Sequence, residues 1–242
     1  MNNTSNPSAS AIPYTSADIL EILSRARHYN NWQVRQILRF FPPETPLADF
    51  GAGIGTFAKI LREHGREIIC VEPDDTLREQ LHRDGLTVSA GLGACADGSL
   101  PAVYTLNVLE HIERDEDALA EIFAKLQPGG KLLVYVPALP VLWTSIDDKA
   151  RHFRRYRRRE LRDKLRRAGF AIINARYADS LGALAALAHR WFLDRGDGTV
   201  SSAAVRVFDR YIFPPSVVCD LVCRFIFGKN LLATAVKPAG RR

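Results

Sequence analysis

One stretch, residues 47–57 with the sequence LADFGAGIGTF, constrains this chain more than any other. Leu47 and Ala48 begin an apolar run that ends in Asp49. Gly51, Gly53 and Gly55 then alternate, and Phe57, Ile60 and Leu61 mark one face of the segment that follows. That order predicts a strand, a tight turn and a helix start. Glycines at such a turn leave backbone N–H groups open to a ligand. A pyrophosphate-binding turn has the form G-x-G-x-x-G, but position 56, where its third glycine belongs, is Thr. The turn is instead D-x-G-x-G-x-G.

The rest of the chain repeats the strand–helix alternation. Residues 67–71, 86–90, 103–109, 132–138, 170–177 and 231–236 are apolar and strand-like, and amphipathic segments that stop at Gly65, Gly85 and Gly169 lie between several of them. Strands alternating with helices at this spacing predict a parallel, doubly wound sheet. Glu72 ends the second strand, 17 residues past Gly55, which leaves room for one helix and one strand. An acid there accepts two ribose hydroxyls in a charge-assisted pair. Ahead of the turn, Ser16 is placed to cap a first helix. A second helical run carries Tyr29, Trp32, Val34 and Ile37 and is stopped by Pro42-Pro43. Residues 1–12 are Asn/Ser-rich and expected to be disordered, leaving residues 13–242 as a single domain. An apolar helix over 181–193 and an aromatic-rich segment, interrupted by Pro214-Pro215, make residues 181–228 a helical cap before the last strand.

At 242 residues the chain fits one globular domain with a full core. It shows no secretory leader and no apolar run long enough to span a bilayer, and Cys70, Cys95, Cys219 and Cys223 form no C-x-x-C pair. These features point to reduced thiols and a cytoplasmic protein. The net charge of +6 is concentrated: residues 149–167 hold 11 Lys/Arg against 2 acids, leaving 22 basic and 25 acidic residues elsewhere. The basicity is one patch.

The D-x-G-x-G-x-G turn, the string NVLEHI at 107–112 and Pro128-Gly129-Gly130 before LLVYVPA resemble the class I S-adenosylmethionine-dependent methyltransferases. The string H-x-R-R-Y at 152–156 is similar to a small-molecule branch of that family. The resemblance implies a Rossmann-like, doubly wound seven-stranded sheet, six strands parallel and the seventh antiparallel between strands five and six, with a helical leader and a cap before the last strand. It also implies S-adenosyl-L-methionine as cofactor, whose cationic sulfonium and amino group suit an acid at the turn's edge. Asp49, Gly51, Gly53, Gly55 and Glu72 would cradle it, with Asn107 and Tyr29 alongside. Asp97 is the only acid available for the adenine amine after strand three. A family subset binds a divalent metal here through an acid, Glu and His; Asn107 stands where the first acid would be, so no metal is expected.

Ligands of open α/β sheets bind at the carboxyl ends of the strands. His111 follows strand four and His152 follows strand five, which makes them the first and second candidates for a general base. Trp32, Arg154, Arg155 and Tyr156 are candidate substrate contacts, the arginines for an anionic group. The expected activity is methyl transfer to a small, fairly apolar molecule, at oxygen, with a secondary-metabolite, quinone or lipid-like acceptor. One rival is an RNA methyltransferase or binder using the 149–167 patch, although the chain has no aromatic-interleaved groove and no nucleic-acid partner is expected. A non-catalytic cofactor-binding protein is another. Residues 181–193 and 211–227 raise a further option, peripheral contact with a membrane or a lipid-like substrate, against the plainer expectation that they pack as the cap's own core.

Overall fold

The computed structural model describes residues 17–192, 194 and 196–240, so the expectations for residues 1–12 and for Ser16 as a cap lie outside it. Helices α1 (Ala17–Ser24) and α2 (Arg27–Phe40) precede an alternating run. This comprises β1 (Leu47–Phe50), α3 (Thr56–Glu63), β2 (Ile68–Val71), α4 (Asp75–Arg83), β3 (Thr87–Ser89), β4 (Leu100–Leu106), α5 (Asp115–Lys125) and β5 (Leu126–Pro137). Then come α6 (Ser145–Lys149), α7 (Arg158–Arg167) and β6 (Ala171–Ala178). The chain ends with α8 (Ser180–Phe192), α9 (Ser202–Val207), α10 (Phe213–Cys223) and β7 (Asn230–Val236). The strands form one sheet in the order β3-β2-β1-β4-β5-β7-β6. Only β7 is antiparallel, wedged between β5 and β6. The predicted fold class holds, six parallel strands and one antiparallel.

Alternation along the strands sends side chains to opposite faces and divides the core in two. Val103, Leu132, Val134 and Val136 join Leu119 and Ile122 of α5 and Leu161 and Leu165 of α7 on one face. Tyr104, Leu133 and Tyr135 join Ile37 of α2, Leu61 of α3, Leu81 of α4 and Phe213 of α10 on the other. Two boundaries differ from expectation. β5 starts at Leu126 and takes in Pro128-Gly129-Gly130, because Leu126 pairs with Leu100 and Lys131 with Ala102 across an irregular register. The helical path through the cap also survives Pro214-Pro215. They fall in the first turn of α10, where no backbone N–H is needed, directly after a π-helical turn at Phe208–Ile212.

Candidate active site

The sheet's carboxyl rim carries the candidate site. The three glycines of the turn all have positive φ, 83°, 56° and 77° at positions 51, 53 and 55, but they serve different ends. A Cβ on Gly51 would lie 2.4 Å from Val108 Cγ2, and one on Gly55 would lie 2.5 Å from Leu81 Cδ2. Those two let the chain after β4 and helix α4 close onto the turn. A Cβ on Gly53 meets only Leu20 of the leader, at an ordinary 3.5 Å. Gly53 alone is the open floor, so the expectation that all three glycines clear space for a ligand is narrowed to one.

Glu72, 3% exposed at the end of β2, faces that floor. Its carboxylate accepts the Gly53 N–H at 2.7 Å and the Asp74 N–H at 3.1 Å. Asp49, the penultimate residue of β1, is 3% exposed, with Oδ2 lacking a hydrogen-bond partner among the described residues. Burial pushes the Asp49 carboxyl up to about 7, and the Glu72 charge adds to the shift. A buried, half-satisfied carboxyl pair around a bare backbone floor is a donor set suited to a ligand with a cationic end and vicinal hydroxyls.

The rim is also where the backbone is strained. Asn107 (φ 55°) is the first residue past β4, Leu139 (φ 60°) the second past β5, and Asp179 (φ 63°) the first past β6. Left-handed non-glycine residues are uncommon and gather at functional sites. Asn107 is held there by donating its N–H to Tyr135 O at 2.7 Å, and the loop it starts runs through Val108 into Glu110 and His111.

His111 and His152 stand edge to face with ring centroids 4.6 Å apart. Burial, with the His152 ring adding to it, lowers the His111 pKa to about 4. His152 Nδ1 lies 2.8 Å from Asp147 Oδ1. Asp147 also takes Arg155 Nε at 2.8 Å, Arg155 Nη2 at 2.9 Å and the Thr144 N–H at 2.9 Å. Burial opposes its ionisation, but the His152 and Arg155 hydrogen bonds outweigh that and hold the Asp147 carboxyl at about 2. An ionised carboxylate only accepts, so the His152 Nδ1 must carry the proton, and in the neutral ring Nε2 is the basic nitrogen. Next to this pair, Glu110 is fully buried, and neither of its oxygens has a partner among the described residues. Burial lifts its carboxyl to about 8. Glu110, His111 and His152 offer donor atoms that all lie within 4.8 Å of one another.

Several predicted residues are elsewhere. Asp97 lies three residues before β4, at the opposite, amino-terminal rim, exposed and paired with Lys125 at 2.7 Å. The crossing from β3 to β4 carries it away from the adenine end, and the residues just past β3, Ala90 to Leu92, include no acid. Arg155 is 9% exposed and spent on Asp147. Arg154 pairs with Asp115 at 2.5 Å, and the fully buried Tyr156 donates to the same carboxylate at 2.7 Å. Arg154, Tyr156 and Lys164, the last 2.7 Å from Asp115, tie the 149–167 segment to α5, while Arg155 ties it to Asp147. Trp32 is 6% exposed, packed on Phe213 and Tyr135. Tyr29 lies against Tyr135, Phe208 and Phe213, joining leader, sheet and cap. Asp147 and Glu110 are the residues that sequence reasoning missed. The signal for Asp147 was the T-x-x-D capping box ending five residues before His152.

Residues 24–175 match the family model described as a methyltransferase domain. A search of curated proteins found no match. Among solved structures, the fold resembles that of a SAM-dependent methyltransferase from Archaeoglobus fulgidus, at TM-score 0.62 and 18% identity over 91% of this chain and 99% of that one. A Thermotoga maritima SAM-dependent methyltransferase, titled a possible histamine N-methyltransferase, gives 0.63 and 19% over 92% and 97%. Phosphoethanolamine N-methyltransferase 2 of Haemonchus contortus in complex with S-adenosyl-L-methionine gives 0.61 and 16%, over 93% of this chain and 58% of that one. S-adenosyl-L-methionine fits the Asp49, Gly53 and Glu72 donor set and is the cofactor. A family match across more than half the chain, on a sheet with this strand order, leaves one conclusion: the protein belongs to the methyltransferase-domain family and is an S-adenosylmethionine-dependent methyltransferase.

Proposed function

We propose that the enzyme transfers a methyl group to the oxygen of a small, fairly apolar acceptor, with His152 as the base that takes the hydroxyl proton. The observation that carries this is the Asp147–His152 hydrogen bond at the carboxyl rim. The bound cofactor supplies an electrophilic methyl on a sulfonium. The chain then has two tasks, to hold the acceptor oxygen in line and to accept its proton. Asp147 fixes the His152 ring with Nε2 unprotonated and offsets the charge that develops as the proton arrives. His111, with its pKa near 4, stays neutral at ordinary pH and is a poor proton acceptor. It shapes the pocket wall beside His152. The aromatic contact of Tyr29 with Phe208 and Phe213 closes the leader against the cap and supports an acceptor of apolar character.

A second reading rests on Glu110. Its partnerless oxygens and the two histidine rings form a set that could take a divalent cation, which would ionise Glu110 and lower the pKa of an acceptor hydroxyl. The experiment that decides is turnover of labelled S-adenosylmethionine on a panel of phenols, amines, fatty acids and RNA, with and without chelator. Methylated phenol, insensitive to chelator and abolished in His152→Gln, supports the base reading. Loss with chelator and recovery with magnesium supports the metal. Methylated RNA alone would move the function to the exposed arginines of α7.

A further inference from the structure

The cap does not bury its own apolar residues. On α10 and the turn after it, Val218, Leu221, Val222, Phe225 and Ile226 stand at i, i+3, i+4, i+7 and i+8, which aligns them in one stripe. Each is between 54% and 75% exposed. Single exposed apolar residues are ordinary, but a continuous exposed stripe is not.

The charges around the stripe are sorted by sign. Residues 202–229 contain two acids, and both are turned inward and occupied. Asp209 accepts the His28 and Tyr29 N–H groups, and Asp220 accepts those of Asp179 and Ser180. The exposed charges of the same segment are Arg206 and Arg210, and Arg224 stacks over Phe225 at 5.0 Å. We propose that this face of the cap, the exposed side of α10 and the turn after it, seats the enzyme on an anionic phospholipid surface. Its apolar stripe would enter the headgroup boundary while its arginines contact lipid phosphates. No helix among the described residues is long and apolar enough to cross a membrane, so the contact is one of lying on the surface. A second copy is the poorer occupant. A two-fold contact would set one arginine-edged patch against its own like, with no exposed acid of residues 202–229 to meet it. Asp220 of α10 is tied to the Asp179 and Ser180 N–H groups just past β6, so the cap meets the sheet at the same rim as the site.

The test is co-sedimentation with vesicles of phosphatidylcholine alone and of an equal mixture with phosphatidylglycerol. The wild type should pellet with the mixture and at least roughly tenfold less with the neutral vesicles. Leu221→Ser combined with Phe225→Ser, and separately Arg206→Glu combined with Arg210→Glu, should each weaken anionic-vesicle binding by roughly tenfold or more. Their thermal midpoints and their stabilisation by S-adenosylhomocysteine should stay as in the wild type. Equal pelleting with both vesicle types, no pelleting with either, or full binding by the double-serine variant overturns the proposal. So does a concentration-dependent dimer that the double-serine variant dissociates.

Discussion

Asp147 Oδ1 and His152 Nδ1 lie 2.8 Å apart, and the same carboxylate is pinned by both arms of the Arg155 fork and by the Thr144 N–H. With the Thr144 hydroxyl at 3.3 Å, five donors on one carboxylate fix both its position and its ionisation, so the His152 ring is left with little freedom of tautomer or rotation.

His152→Ala should therefore lower kcat by roughly 10²–10⁴-fold while cofactor affinity stays near that of the wild type. His111→Ala should cost less, since its pKa near 4 makes it a poor proton acceptor. Single-turnover rates, beside calorimetric titration with S-adenosylhomocysteine, separate the two effects. Equal losses in both variants would remove the privileged role of His152.

Gly51 and Gly53 should fail differently. Gly51→Ala drives a methyl into Val108 at a left-handed backbone and should destabilise the fold by about 2–4 kcal/mol. Gly53→Ala meets no clash and should cost about 1 kcal/mol of stability, with cofactor affinity falling by roughly tenfold or more. Urea unfolding and cofactor titration read the two effects separately. Equal destabilisation would contradict the division of labour within the turn.

Glu72→Gln removes the charge that holds the Gly53 N–H and that we propose takes the ribose hydroxyls. A hydrogen bond to a charged group is worth about 1.5–3 kcal/mol, so cofactor affinity should drop roughly 10- to 150-fold. The unfolding midpoint should move little, because burial already raises the Glu72 carboxyl above its ordinary value. An unchanged dissociation constant would place the ribose elsewhere.

Asp49 predicts a pH dependence. Its folded pKa of about 7 lies above the ordinary carboxylate value, so the folded state binds the proton more tightly than the unfolded one. Its contribution is complete below about pH 4 and is lost as pH rises to about 7, up to roughly 4 kcal/mol in the cofactor-free enzyme. Asp49→Asn should flatten that part of the stability curve and at the same time weaken cofactor binding. Denaturation at about pH 5 and about pH 8, wild type against variant, measures it. Because Glu110 titrates in the same direction, the difference between the proteins is the informative quantity.

The strand–helix alternation, the turn at Gly51 to Gly55 and the acid at Glu72 were legible in the sequence because each is local, whereas the antiparallel strand between β5 and β6 was expected only from the family resemblance. Period-two apolar runs, glycine spacing and one helix between turn and acid are set within a few tens of residues. Long-range contact decided the rest. Whether Arg155 faces an acceptor or Asp147 depends on how the loop after β5 folds back, and whether Asp97 reaches the adenine end depends on which rim the β3–β4 crossing ends at. Apolar composition likewise told that the cap was greasy but not which way its stripe points. Burial of Asp209 and Asp220 beneath an exposed Val218–Ile226 face is a property of α8 and α10 packing on the sheet, and only the tertiary structure carries that information.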